Sequence, residues 1–328
     1  MNTRLHLVVN VTRDSRVHDI IEKTISTDEI ISGMFDRRYM KSRDELLENI
    51  ARAEVLFTFA VPQEAAARAD NLKWVHFASA GIDKSMSPAL LENRNVKLTC
   101  SRGLHANTIA EFVLMQMLAF SKNLARAIES QGRREWKFEE MLDGKFDLEG
   151  KTVAIIGLGS IGRRVARLAK AFDMRVVGTV SRPRKIAAVD EVFSPGQIKK
   201  CLEDADFVVL AAPLTVQTLH LIGDRELAAM KPGACLVNIG RGKLVDETAL
   251  IKALQNRRIA GAGLDVFETE PLPVDSPFWG MPNVSVTPHY SGMAEDIWKK
   301  TAQLFCENAR RYRDGKRLLG VVDRAKGY

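Results

Sequence analysis

Three short segments late in this sequence gather residue types suited to proton transfer and anion binding. Val237-Asn238-Ile239-Gly240-Arg241-Gly242 sets an arginine between glycines at the end of an apolar run. Gly263-Leu264-Asp265-Val266-Phe267-Glu268-Thr269-Glu270-Pro271 ends another apolar run in acids. Val286-Thr287-Pro288-His289-Tyr290-Ser291-Gly292 places a histidine after a proline. Arginine is always charged and can hold a carboxylate or carbonyl oxygen in a fork. Histidine gives or takes a proton near neutral pH. A carboxylate bonded to that ring orients it and favours its charged form. The spacing leaves Glu268 and Glu270 both open for this part. Each residue alone has a bland reading: a surface arginine, a turn glutamate, a capped loop histidine. Together they suit hydride reduction of a carbonyl that sits beside a carboxylate.

A fourth segment supplies a place for the reductant. Gly157-Leu158-Gly159-Ser160-Ile161-Gly162 fits G-x-G-x-x-G, with the apolar run Val153–Ile156 before it and an amphipathic stretch after it. Ile161, Val165, Leu168 and Phe172 recur on one helix face. Gly157 permits a tight turn, Gly159 lets the backbone approach a pyrophosphate, and Gly162 lets helix and strand pack closely. Ser160 and Ile161 open the helix, whose free N–H groups attract phosphate. The next strand should end in an acid if a ribose 2′-hydroxyl is to be bound. Here Val176–Val180 runs into Ser181, Arg182, Pro183 and Arg184, and no acid occurs before Asp190. Ser181, Arg182 and Arg184 suit a 2′-phosphate, so NADP(H) is the expected cofactor, with NAD(H) as an option. The bland alternative is a solvated basic loop.

The elements that must position these segments read as α/β. Strands are expected at Leu5–Val11, Val55–Phe59, Trp74–Phe77 and Val96–Cys100, with helices around Arg43–Ala53 and Gln63–Ala69. A long helix is expected from about Thr108 to Gln131, capped by Asn107 and buried on nearly all sides. A second series follows, with strands at Thr152–Gly157, Arg175–Val180, Phe207–Ala212, Cys235–Ile239 and Gly263–Val266, and a last helix at Glu295–Asp314. The expectation is two doubly wound parallel-sheet (Rossmann-like) domains with a cleft between them. Residues 1–103 plus 293–328 form a discontinuous substrate-binding domain, and residues 104–292 a dinucleotide-binding Rossmann domain. Arg241, the acids and His289 then lie at or past carboxyl ends of strands, where ligands bind in open α/β sheets.

Composition narrows the function classes. The 328 residues are 46% hydrophobic and 27% charged, and carry a net charge of +7. The basic residues are dispersed, which suits small anionic ligands and argues against nucleic acid as a partner. No apolar run is long enough for a membrane span, and the N-terminus lacks a signal-peptide core. Cys100, Cys201, Cys235 and Cys306 are scattered without metal-ligand spacing, so no metal is expected. They read as reduced, buried residues of a cytoplasmic protein.

With these words in this order, the chain resembles the D-isomer-specific 2-hydroxyacid dehydrogenase family over essentially its whole length. The resemblance rests on Gly157–Gly162, Pro213-Leu214-Thr215 with Thr218, Asn238–Gly242, Gly263–Pro271 and Thr287–Gly292. It implies Arg241 as the substrate-binding and polarising residue, Glu270 rather than Glu268 as the acid partner, and His289 as general acid/base. It implies cofactor contacts at Pro213, Thr218, Ile239, Gly240, Arg241, Asp265, His289 and Gly292, with Asp265 beside the nicotinamide carboxamide. Ala80 and Gly81, within Ser79-Ala80-Gly81-Ile82-Asp83, would offer backbone N–H groups to the substrate carboxylate; Ser79 departs from a glycine common there. His76 and His105 are read as structural, with substrate contact as the alternative. Trp136 either packs within its own subunit or, as in relatives of the glyoxylate/hydroxypyruvate reductase type, lies at a homodimer contact and enters the partner's site. The implied activity is reduction of a small 2-oxo acid of the glyoxylate/hydroxypyruvate type to a D-2-hydroxy acid. A phosphoglycerate dehydrogenase-like enzyme and a dinucleotide-sensing corepressor-like protein are the alternatives. Formate dehydrogenase relatives carry glutamine where Glu270 stands.

Overall fold

Apolar runs become strands in this chain because a parallel sheet covered on both faces buries both sets of alternating side chains. The computed structural model describes residues 4–82 and 85–324; Asp83 of the Ser79–Asp83 motif lies outside them. The chain divides into two units, one comprising residues up to His105 and from Ala294 onward, the other Ala106–Met293.

The first unit holds β1 (Leu5–Asn10), β2 (Phe35–Tyr39), β3 (Val55–Thr58), β4 (Trp74–Phe77) and β5 (Lys97–Cys100). All pairings are parallel, in the order β2-β1-β3-β4-β5. Every residue of β3 and β4 is buried. Val8, Leu56, Val75 and Leu98 feed one core, while Leu7, Val9, Val55, Phe57 and Trp74 feed the other. The helix Ile297–Arg313 returns to this second core. Its Phe305 stacks on Phe57 and on Trp74, with centroids 5.0 Å apart in both cases. Beyond it the chain runs antiparallel along the free edge of β5. Cys100 N donates to Gly320 O and Val322 N to Leu98 O, at 2.9 and 3.0 Å. Arg324 Nη1 then donates to the carbonyls of Leu90 and Leu91, each at 2.7 Å.

The second unit opens with a helix at Ala106–Ser121 and another at Leu124–Arg133. The sequence suggested one helix here. Asn123 breaks it by adopting a left-handed conformation (φ 54°), which asparagine tolerates better than most residues. The Asn123 side chain donates to Asp143 O at 2.8 Å, anchoring the excursion that follows. The helix also starts at Ala106, so Asn107 lies inside it rather than capping it.

Seven parallel strands follow: β6 (Thr152–Ile156), β7 (Arg175–Thr179), β8 (Glu191–Phe193), β9 (Phe207–Leu210), β10 (Cys235–Asn238), β11 (Gly261–Leu264) and β12 (Val284–Val286). Their order is β12-β11-β10-β9-β6-β7-β8. The winding reverses between β6 and β9, the switch point where an open α/β sheet leaves a crevice. Val153 and Ile155 of β6 enter one core, and Ala154 and Ile156 the other. β11 begins and ends two residues earlier than expected, in register with β10 (Cys235↔Gly261, Asn238↔Leu264), so Asp265 lies just past the strand. The four cysteines are free and buried. Burial pushes the Cys201 and Cys235 thiols up to about 12, so neither is a nucleophile near neutral pH. Among the described residues no helix is long and apolar enough to cross a membrane, and no group of three or more His, Cys, Asp or Glu could hold a metal ion.

Candidate active site

The glycine loop sits at the switch point. Gly157 follows β6 with φ 108°, and a Cβ there would lie 2.7 Å from Ala212 N, beyond β9. At Gly162 a Cβ would meet Gly157 O at 2.2 Å, so the helix Ser160–Ala171 packs against the strand end only because the residue is glycine. Gly159 is different: a Cβ would have nothing within 4 Å. No protein atom demands glycine at that position. Open space at a helix N-terminus fits a phosphate group approaching the backbone of Gly159, Ser160 and Ile161.

Ser181, Arg182 and Arg184 form an exposed loop just beyond β7. The first acid after it, Asp190, is engaged elsewhere: it accepts from Val176 N at 2.7 Å and from Lys170 Nζ at 2.8 Å. On the other side of the switch point, Thr218 Oγ1 donates to Pro213 O at 2.7 Å and accepts from Thr215 N at 2.7 Å, closing a compact turn after β9.

Arg241, the three acids and His289 occupy the turns beyond β10, β11 and β12. Asn238 at the end of β10 shapes the first turn, accepting from Gly240 N and donating to Arg241 O at 3.1 and 3.0 Å. Ile239 and Gly240 are buried, while Arg241 is half-buried with Nη1 donating to Gly240 O at 2.8 Å. Gly242 meets the next turn so closely that a Cβ would lie 1.8 Å from the Phe267 carbonyl carbon.

Asp265 is fully buried and anchors the histidine turn. Oδ1 accepts from Thr287 Oγ1 at 2.8 Å and Tyr290 N at 3.1 Å, and Oδ2 from Ser291 N at 3.0 Å. These bonds straddle His289, which is held at φ 51°, a conformation that costs a non-glycine residue about 1–2 kcal/mol. Gly292 is half-buried at the end of the same turn.

The pairing of the acids is distinct. Glu270 Oε2 lies 3.1 Å from His289 Nδ1, and Oε1 accepts from Phe267 N at 3.0 Å. Glu268 instead lies beside His220 and Glu247. An ionised carboxylate only accepts, so Nδ1 carries the ring proton and Nε2 is the atom left for proton exchange. The His289 side chain is 48% exposed and that of Glu270 24%. A cation, a solvent-accessible imidazole and its carboxylate on adjoining strand ends can bind an anion and pass a proton.

The remaining sequence candidates separate. His76 is fully buried between Phe57, Trp74 and Phe305, and burial lowers its pKa to about 3. It is a core residue. Ala80 and Gly81 are half-buried just past β4, in a turn where Ser79 Oγ donates to Gly81 O at 2.9 Å. His105 is half-buried beside the start of the helix Ala106–Ser121. Trp136 is 95% exposed, which removes the reading that it packs within its own subunit. Thr287 was not singled out from sequence; its hydroxyl between Pro288 and the strand was the available signal.

Residues 114–291 match the D-isomer specific 2-hydroxyacid dehydrogenase, NAD binding domain, and lie within the second unit. The chain is 37% identical to a glyoxylate reductase of Thermococcus gammatolerans, over 84% of each chain. The chain belongs to the D-isomer specific 2-hydroxyacid dehydrogenase family. Solved members share the whole architecture. A family protein from Aeromonas salmonicida superposes with a TM-score of 0.85 at 31% identity, covering 98% of this chain and 100% of that one. Another, from Xanthobacter autotrophicus in complex with NADPH and MES, gives 0.83 at 29% identity, with 99% and 100% covered. As a member of this family the chain is an NAD(P)-dependent dehydrogenase, and its seven-stranded sheet carries the Gly157–Gly162 loop.

Proposed function

We propose that this protein reduces a small 2-oxo acid of the glyoxylate or hydroxypyruvate type to a D-2-hydroxy acid with NADPH. The observation that carries the reading is the Glu270–His289 hydrogen bond on strand ends of the same sheet that carries the glycine loop. The bound nicotinamide supplies the hydride. Arg241 binds the substrate carboxylate and stabilises the charge that develops on the carbonyl oxygen. His289, charged and held through Nδ1 by Glu270, delivers a proton from Nε2 to that oxygen; in the reverse direction it takes the proton up. Ala80 and Gly81 offer backbone N–H groups to the substrate carboxylate. Asp265 has a lone-pair position left after its three hydrogen bonds and receives the nicotinamide carboxamide. Ser181, Arg182 and Arg184 bind the 2′-phosphate, a choice favoured by the engagement of Asp190 elsewhere and by NADPH in the Xanthobacter relative.

The working form is a cytoplasmic homodimer built on the excursion after Asn123. The helices Leu124–Arg133 and Phe138–Leu142 bury no residue. Leu124, Ile128, Trp136, Phe138 and Leu142 are all exposed. A ten-residue helix is marginal without packing, so a second copy covering this apolar set explains its persistence. Sedimentation should give twice the chain mass.

The test is NADPH and NADH oxidation over a panel of 2-oxo acids. Glyoxylate or hydroxypyruvate should give the highest kcat/KM, with NADPH ahead of NADH. Absence of turnover with every acid would defeat the enzymatic reading in favour of a binding role.

A further inference from the structure

A histidine–carboxylate pair is built twice into the loop after β11. Glu270 holds His289, and nearby Glu268 Oε1 lies 3.1 Å from His220 Nε2. The same Glu268 oxygen accepts from Glu247 N at 3.3 Å, while Glu268 N donates to Glu247 Oε1 at 2.7 Å. The two glutamates therefore exchange main-chain hydrogen bonds. Glu247 is the first residue of the nine-residue helix Glu247–Gln255, capped by Asp246. Its N–H is one of the donors a helix start leaves without an internal partner, and a carboxylate there is favoured by the helix dipole. Gly242 adds a second point of contact, its backbone pressed on the Phe267–Glu268 peptide. The turn that carries Arg241 and the loop that carries Glu270 are thus pinned at two places. His220, itself in the left-handed region at φ 48°, ties in the turn after β9.

We propose that Glu268, Glu247 and His220 form a brace that fixes Glu270, and through it His289, relative to Arg241. The inference rests on the roles given above to Arg241, Glu270 and His289. The three residues of the brace are positioning residues and need not touch substrate. The charged groups that face Glu247 are Glu268 and Glu270. Burial raises the Glu247 carboxyl above its ordinary range, and those two carboxylates raise it further against the hydrogen bond from Glu268 N.

The test uses the full-length protein with NADPH and glyoxylate, and follows kcat and KM against pH for His289→Ala, Glu268→Ala, Glu268→Gln, Glu247→Ala and the double variant Glu247→Ala/Glu268→Ala. Wild-type turnover in His289→Ala would remove the underlying reading and leave the brace without a dyad to serve. With His289→Ala inactive, Glu268→Ala should lower kcat roughly tenfold while KM for NADPH stays within about twofold. Glu268→Gln retains an acceptor oxygen without the charge. It should therefore keep most of kcat, rescuing the loss seen in Glu268→Ala. The double variant should lose no more than the worse single one, because the two side chains complete one reciprocal pair. A Glu268→Gln variant as impaired in kcat as Glu268→Ala, or losses that multiply in the double variant, would overturn the proposal.

Discussion

His289 and His76 are the same side chain in opposite settings. His76 lies in β4 with its whole surface covered, Nδ1 2.8 Å from Thr99 Oγ1 and Nε2 3.4 Å from Ser101 Oγ. Trp74 Nε1 donates to that same Thr99 hydroxyl at 2.9 Å. The ring is hydrogen-bonded to hydroxyls and packed against aromatic rings, and burial disfavours its charged form. His289 stands on a left-handed turn, half-exposed, with a carboxylate on one nitrogen and the other available. Burial without a countercharge makes an imidazole a rigid, neutral piece of core; partial exposure with a countercharge makes it a proton carrier. The sequence reading took His76 as structural, with substrate contact as the alternative, and gave His289 the acid/base role through the family resemblance; burial in β4 removes the alternative for His76.

Five measurements would break or sharpen that contrast. His289→Ala should lower kcat by roughly 10²–10⁴ with little change in Tm; turnover close to wild type would abolish the distinction. His76→Ala should show the reverse, losing about 2–4 kcal/mol in denaturant unfolding while kcat per folded molecule changes less than about threefold. The pH dependence of stability follows from the same burial. The unfolded chain protonates His76 below its ordinary value of 6.5, whereas the folded chain resists until about 3. This contribution is therefore complete above 6.5 and is lost progressively as pH falls toward 3, and His76→Gln should flatten that part of the curve. Replacing both Arg182 and Arg184 with serine should raise KM for NADPH about tenfold and leave KM for NADH within about twofold. The smallest effect is expected from Trp136→Ala, which should weaken self-association in sedimentation by about tenfold and alter Tm only through dimer content.

Much of the fold was legible because parallel strands write themselves as unbroken apolar runs. Val55–Phe59, Trp74–Phe77 and Phe207–Ala212 each overlap an observed strand. β2 and β8 escaped, and both lie at sheet edges. β2 reads Phe-Asp-Arg-Arg-Tyr and β8 Glu-Val-Phe, because an edge strand meets solvent and tolerates charge. The break at Asn123 escaped because the apolar pattern runs through it. At the site, the motif words gave Arg241, the acids and His289, but periodicity could not choose between Glu268 and Glu270. That choice depends on a hydrogen bond between turns of different strands. The engagement of Asp265 with Thr287, Tyr290 and Ser291, and of Glu268 with Glu247 and His220, was invisible for the same reason.

The return of the helix Ile297–Arg313 to the first sheet bears on the order of biosynthesis. Phe57 and Trp74 are made early, yet the ring that stacks on both, Phe305, is translated only after the entire second unit. The antiparallel segment that seals β5 is made later still. Ala106–Met293 is contiguous and can fold as it leaves the ribosome, but the N-terminal sheet must wait with one core face and one edge open. For this chain Ala106–Met293 is therefore expected to complete its core before the N-terminal sheet does, which limited proteolysis of ribosome-bound chains would check.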